Sequence, residues 1–458
     1  MSDNKQKINT LRDFPAVEIL TAETALTSYV EKFSRLVVTQ IVRETVSELK
    51  EKFQSDNKSL SRDTLIKNII KRLDDLATQF LTRVINGAGI IVHTNLGRAP
   101  LSKAMLENAF DAITGYSNLE YDLKTGRRGK RGLLVERLLA DLCGTESGTV
   151  VNNNAAALFI ILNTLANRKE VIISRGELVQ IGGGFKIPDI MTRAGARLVE
   201  VGTTNRTNLD DYASAITERT RMVLKVHRSN FAQVGFVTET GLDDLAQLCR
   251  RHDLILVNDL GSGLFEFPEG VAVVGEPTVY ESVHAGANLT CFSGDKLLGG
   301  AQAGLIAGNR ELVTRLKKNP LFRTLRCDKL VFHLTIQVLL SYLNGTAYED
   351  LPVWKMVTCG ESELKQRGEK IIEQCPGKNI VLAACGAYLG GGSTPAQKVP
   401  SLALSLRGQV KPNALADRFR KFQPPIIGRV NDDDFLIDLR TVAPEDDKIL
   451  IAAINSLV

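Results

Sequence analysis

Between positions 29 and 49 apolar residues recur at steps of three and four: Tyr29, Val30, Phe33, Leu36, Val37, Ile41, Val42, Val46 and Leu49. That spacing puts them on one face of a helix. A second stripe follows, made of Leu65, Ile66, Ile69, Ile70, Leu73, Leu76 and Phe80, and Ser61-Arg62-Asp63 ahead of it offers a capping side chain for a helix start. Residues 1–82 therefore read as a helical domain. Their 13 Lys and Arg nearly balance 12 Asp and Glu, so no basic stripe announces a nucleic-acid face.

From Ile85 the pattern changes to short β-rich runs separated by helix-length spacers: 149–151, 171–174, 197–201, 222–227, 254–258, 289–292 and 304–307. This alternation predicts an α/β fold with a mainly parallel sheet covered by helices. Ligands of such sheets lie at the carboxyl ends of the strands. The spacing predicts a helix over 331–343, and 381–458 mixes short strands with helices as a smaller α+β domain would. The expected domains are 1–82, 83–335 and 336–458.

Composition adds boundaries. A chain of 458 residues, 44% hydrophobic and 24% charged, has enough apolar surface for two or three domains. A formal charge of +5 selects no partner class. The seven cysteines are odd in number, scattered, and lack the paired spacing of a zinc site or a small disulfide scaffold, which fits a reducing cytoplasm. No signal peptide is expected from the polar start MSDNKQKINT, and no 18-residue apolar run suggests a membrane span.

The chemistry concentrates at predicted strand ends. SGDKLLGG, 293–300, sets Lys296 among small residues just after an apolar run, beginning with Ser293. Lysine so placed can hold pyridoxal 5′-phosphate (PLP) as a Schiff base, although a solvated lysine in a glycine-rich loop has the same local signature. Upstream, NNNAAA at 152–157 opens a helix whose free N–H groups, near Asn154 and Ala155, could cradle a phosphate. Asp259 stands at another strand end. A carboxylate about 4 Å from a pyridine nitrogen contributes about 4 kcal/mol at an effective dielectric near 20, enough to keep that nitrogen protonated. Cradle, aspartate and lysine, in this order, are what PLP chemistry of fold type I needs. Lys296 would then serve as general base and later acid at the substrate Cα. In KVHRSNF, 225–231, Asn230 could reach the cofactor's phenolic oxygen, while His227 reads either as a core residue or as a group at the cofactor.

Longer strings carry a family resemblance: INGAGIIVHTNLGRA (85–99), NLEYDLKTGRRGKRG (118–132), VVNNNAAA (150–157), SRGELVQIGGGFKIPDI (174–190), GTTNRT (202–207), SGDKLLGGAQAG (293–304) and PPIIGRV (424–430). Over 83 to the C-terminus the chain resembles the bacterial selenocysteine synthases, the L-seryl-tRNA(Sec) selenium transferases. The resemblance implies a PLP enzyme converting serine on tRNA(Sec) to selenocysteine through a dehydroalanyl intermediate, with selenophosphate as donor. It also implies a tRNA-binding N-terminal domain, a homo-oligomeric ring of dimers, and Arg98, Arg323 and Arg326 as anion-binding arginines. If 323–326 is helical, the spacing of three sets the last two on one face. The chain departs from the family pattern at Lys186 (FKIP for FRIP), Arg228 (HRSN for HTSN) and Ala301 (GGAQAG for GGPQAG). Those departures keep open an alternative, a related PLP lyase acting on a free small amino acid without tRNA.

Overall fold

The computed structural model describes residues 7–56, 60–181, 184–228, 231, 233–267, 276–390, 394–407, 410–431 and 433–458. Two compact units result, Met1–Arg83 and Val84–Val458.

In the first unit, helices Arg35–Asp56 and Arg62–Ala77 pack around a core that includes Leu20, Leu26, Val38, Val42, Leu65, Ile69 and Leu73. The second helix starts where the sequence predicts, with Ser61 Oγ accepting the N–H of Thr64 at 3.1 Å. The first apolar stripe is not one helix. Ser34 takes φ 82°, a left-handed conformation that ends Thr27–Phe33 and restarts the chain as Arg35–Asp56. The restart shifts the helical phase and leaves Leu36 79% exposed, although the spacing had placed it inside. Phe80 lies beyond the second helix, and its ring packs 5.3 Å from that of Phe33.

The second unit is built on a seven-stranded sheet: β1 (Ser147–Val151), β2 (Glu170–Ser174), β3 (Arg197–Val201), β4 (Thr220–Val226), β5 (Ile255–Gly261), β6 (Leu289–Ser293) and β7 (Gly304–Gly308). Their order is β3-β2-β4-β5-β6-β7-β1. The pairings from β3 through β6 are parallel, whereas β7 runs antiparallel to both β6 and β1. The lysine loop explains the exception: the stretch between β6 and β7 is too short for a crossover helix, so the chain must return as a hairpin. Because β7 reverses twice, β1 points the same way as β4, β5 and β6. Four strand ends bearing candidate residues thus share one edge of the sheet. Helix Asn154–Leu165, apolar on nearly every side, is sunk into the core against β6 and β7.

A second sheet orders Arg429–Asn431, Asp434–Asp438, Thr394–Leu406, Ile380–Gly390 and Ile90–Val92 side by side. Strand Ile90–Val92 pairs in parallel with Ile380–Gly390, anchoring the segment just before Arg98. Helix Lys329–Leu343 runs through position 335 and carries Tyr342 beneath the lysine loop.

Candidate active site

Strand β6 ends at Ser293, and the loop after it is folded tightly on itself. Gly294 N–H donates to the Ala303 carbonyl and Gly300 N–H to that of Gly294, both at 2.8 Å. A Cβ on Gly304 would come within 2.1 Å of the Asn153 carbonyl oxygen, so only glycine lets this hairpin lie against the NNNAAA turn. From below, the buried Tyr342 hydroxyl sits 3.2 Å from the Leu298 carbonyl and 3.4 Å from that of Leu297, and accepts the Trp354 indole N–H at 2.6 Å. From the side, Leu297 N–H donates to the Ser262 carbonyl at 3.0 Å, tying the loop to LGSG after Asp259. Lys296 is thereby fixed at its base and presents its amine to a cleft.

That cleft is lined by Arg98, Asn153, Asn154, Ala155, His227, Asp259, Ser293, Asp295, Lys296 and Gln302. Asp259 is 6% exposed and accepts the Asn154 amide N–H at 2.8 Å. Burial pushes its pKa up, against the opposing pull of Asn154 and Lys296. Burial likewise pushes the Lys296 amine down; Asp259 opposes this and Arg98 adds to it. Each group therefore makes the other's charged form less costly. Asn153 caps helix Asn154–Leu165 by accepting the Ala156 N–H at 2.9 Å, while the buried Oδ1 of Asn154 has no hydrogen-bond partner among the described residues. The first N–H groups of that helix, which no intrahelical carbonyl can satisfy, are donors from which a phosphate's oxygens could accept.

Arg98 reaches the cleft through an unusual backbone: Gly97 and Arg98 both have positive φ, 89° and 63°. Its Nη1 donates to Asp295 Oδ2 at 2.5 Å, and Asp295 is itself buried. His227 follows β4 directly. Its N–H donates to the Asp259 carbonyl at 2.9 Å, and its Nε2 lies 3.1 Å from Oε2 of the buried Glu276. The end of β4 is set by Glu177, 2% exposed, which accepts the Val226 N–H at 2.9 Å and the Lys225 ammonium at 2.6 Å.

Of the residues expected from sequence, the cleft brings together Arg98, Asn154, Ala155, Asp259, Ser293 and Lys296. Asn230 lies outside the described residues. Arg323 and Arg326 are placed elsewhere: Pro320–Leu325 is a 3-10 helix, Arg323 is exposed, and Arg326 lies past the helix end with extended backbone. The expected shared helical face is therefore absent, because the helix stops one residue too early. Arg326 lines a second cleft with Arg128, Lys130, Arg131 and Lys317, and its Nη1 is 3.6 Å from Glu120. Arg228 points away from Lys296, paired with Glu239 and with Gln233 at 3.0 Å. Lys186 is exposed ahead of helix Ile187–Arg193. Sequence reading missed Asp295, Gln302, Glu177 and Glu276. Asp295 adjoins Lys296 in the motif and was open to notice; no spacing pattern links Glu276 to His227 or Glu177 to Val226.

The family pattern described as L-seryl-tRNA selenium transferase matches residues 84–443. A curated L-seryl-tRNA(Sec) selenium transferase of Aquifex aeolicus is 42% identical over 433 residues, covering 93% of this chain and 95% of the relative. Another, from Geotalea daltonii, is 39% identical and covers 98% of this chain and all of the relative. Among solved structures, D-glucosaminate-6-phosphate ammonia-lyase superposes with a TM-score of 0.60 at 18% identity, over 84% of this chain and 97% of that one, which shows a shared fold. With the family pattern spanning most of the second unit and such relatives covering nearly the whole length, the chain belongs to the L-seryl-tRNA selenium transferase family.

Proposed function

We propose that this chain replaces the hydroxyl of L-serine esterified to tRNA(Sec) by selenium, with PLP held at Lys296. The observation that carries the proposal is the convergence of Lys296, Asp259 and the Asn154 helix start in one cleft of a chain of this family. These residues fit the cofactor. Lys296 offers an amine held below its ordinary pKa, suited to an aldehyde; Asp259 offers a buried carboxylate for a ring nitrogen; and the helix start at Asn154 and Ala155, with the nearby Ser293 hydroxyl, offers N–H and O–H donors for a phosphate.

When bound, PLP supplies an electron sink for the pair left behind at the substrate Cα. The protein does the rest. Lys296 would remove the Cα proton, and the burial that lowers its pKa favours the neutral amine this task needs. Asp259, fixed by Asn154, would hold its carboxylate toward the cofactor's ring nitrogen. An aminoacyl ester suits this chemistry because its α-amine is free and its carbonyl adds to the acidity of Cα–H.

The selenium donor is proposed to be selenophosphate, an anion, and arginine forks bind such oxyanions well. Arg98 is already in the cleft. Arg323 and Arg326 would act on the donor within a homo-oligomer, where residues of a neighbouring subunit complete the site. The helical N-terminal unit is proposed to bind the tRNA, with 83–335 as catalytic and 336–458 as small C-terminal domain. That curated relatives align over 98% of the chain supports a role for the N-terminal unit in the shared activity. It disfavours the alternative lyase acting on a free amino acid. Among the described residues no helix is long and apolar enough to cross a membrane, and all seven cysteines are free, in keeping with the proposed cytoplasmic location. The test mixes the PLP-loaded protein with serylated tRNA(Sec) or with free serine and follows the cofactor absorbance. Only the tRNA ester should change it; a change with free serine alone would overturn the reading.

A further inference from the structure

Glu276 is an expensive residue to keep. It is 7% exposed, its Oε1 is buried with no hydrogen-bond partner among the described residues, and its Oε2 faces His227 Nε2 at 3.1 Å. A carboxylate buried this way costs stability unless it serves a partner. The partner is a histidine in the wall of the Lys296 cleft, with 21% of its side chain open. Glu276 accepts from Nε2, which fixes the ring and leaves Nδ1, without a hydrogen bond to any described residue, for a ligand. The charged groups sharing the space are Lys296, Asp259, Asp295 and Arg98.

From this arrangement we propose that His227, oriented by Glu276, is the acid that protonates the serine hydroxyl as it leaves. The inference rests on the function proposed above and adds a residue to it. Serine's hydroxyl is a poor leaving group, because hydroxide is a strong base and must acquire a proton as the Cβ–O bond breaks. The balance is simple. Lys296 takes the Cα proton, the electron pair of that bond forms Cα=Cβ, the Cβ–O pair stays on oxygen, and the Nδ1 proton joins it to release water. His227 ends neutral and Glu276 remains a carboxylate throughout. Separate residues then handle the two protons, so Lys296 need not release one to the hydroxyl while taking another from Cα.

The leaving group provides the test. Chloride departs without a proton, so His227→Gln should slow single-turnover elimination from seryl-tRNA(Sec) by about 100-fold or more while changing that from β-chloroalanyl-tRNA(Sec) less than about threefold. Equal losses on both substrates, or no loss on serine, would overturn the assignment; a wild-type enzyme that turns over neither would instead refute the function proposed above. Loss of cofactor would slow both substrates, which is why the absorbance of bound PLP is recorded for each variant. Glu276→Gln supplies a readout free of turnover. In cofactor-free protein at one fixed pH, the rate of His227 carbethoxylation, followed by mass spectrometry of its peptide, should rise about threefold or more when the carboxylate that holds Nε2 is removed. An unchanged rate would contradict the role of Glu276.

Discussion

Replacing Tyr342 by phenylalanine removes one oxygen from beneath the lysine loop, and its effect can be worked from three contacts. The hydroxyl accepts the Trp354 indole N–H at 2.6 Å and shares its proton between the Leu298 and Leu297 carbonyls at 3.2 and 3.4 Å. Trp354 is fully buried, so in Tyr342→Phe its N–H has nowhere to turn, at about 1–3 kcal/mol. The lost bond to the carbonyls adds about 1 kcal/mol. A total near 3 kcal/mol, with a urea dependence of about 3 kcal/mol per molar for a unit this large, shifts the midpoint by about 1 M. The chain has a single tryptophan, so its fluorescence reports unfolding of the second unit alone. The same carbonyls belong to the two residues after Lys296, and the variant should also release PLP faster than the wild type. A midpoint shift below about 0.2 M, with unchanged PLP release, would refute the claim that this hydroxyl holds the catalytic loop in place.

Asp259→Asn keeps an acceptor for Asn154 but removes the charge that chiefly supports the Lys296 ammonium, so the lysine pKa should drop further. Acylation of Lys296 in cofactor-free protein should then set in at lower pH; an unchanged or higher onset would contradict it. Deleting 1–82 should abolish tRNA(Sec) binding in a filter or mobility assay while PLP stays bound, and tight binding by the truncated protein would remove the role given to that unit. Arg323→Ala should weaken use of the selenium donor more than elimination from seryl-tRNA(Sec); equal loss of both steps in single turnovers would count against an anion role. Arg98→Ala should weaken donor use too and, by removing a cation that depresses Lys296, raise that lysine's pKa, the opposite sign to Asp259→Asn.

What could be read from the sequence followed from local periodicity and from order along the chain. All seven strands of the main sheet lie within a few residues of their predicted positions, because β-rich runs alternate with helix-length spacers. Lys296, Asp259, Asn154 and Ser293 were legible because each follows such a run, and strand ends of one direction must share an edge. What escaped depends on backbone detail or on long-range pairing. Ser34 gives no warning of its positive φ, so one apolar stripe became two helices. The return of β7 follows from a hairpin whose glycines allow close approach to Asn153, a contact between distant segments. Glu276 and Glu177 meet their partners across 49 residues each, a separation that no periodic pattern encodes. The surroundings of Arg326 were not legible because a 3-10 turn ends before it and it lies 3.6 Å from Glu120 in another cleft.

The central claim is that Lys296 is the residue that carries the cofactor. Borohydride reduction of the PLP-loaded protein, followed by proteolysis and mass spectrometry, tests it directly. A pyridoxyl mass on the peptide containing Lys296, absent from Lys296→Ala, is the predicted result; a label on any other lysine, or none, would contradict the account.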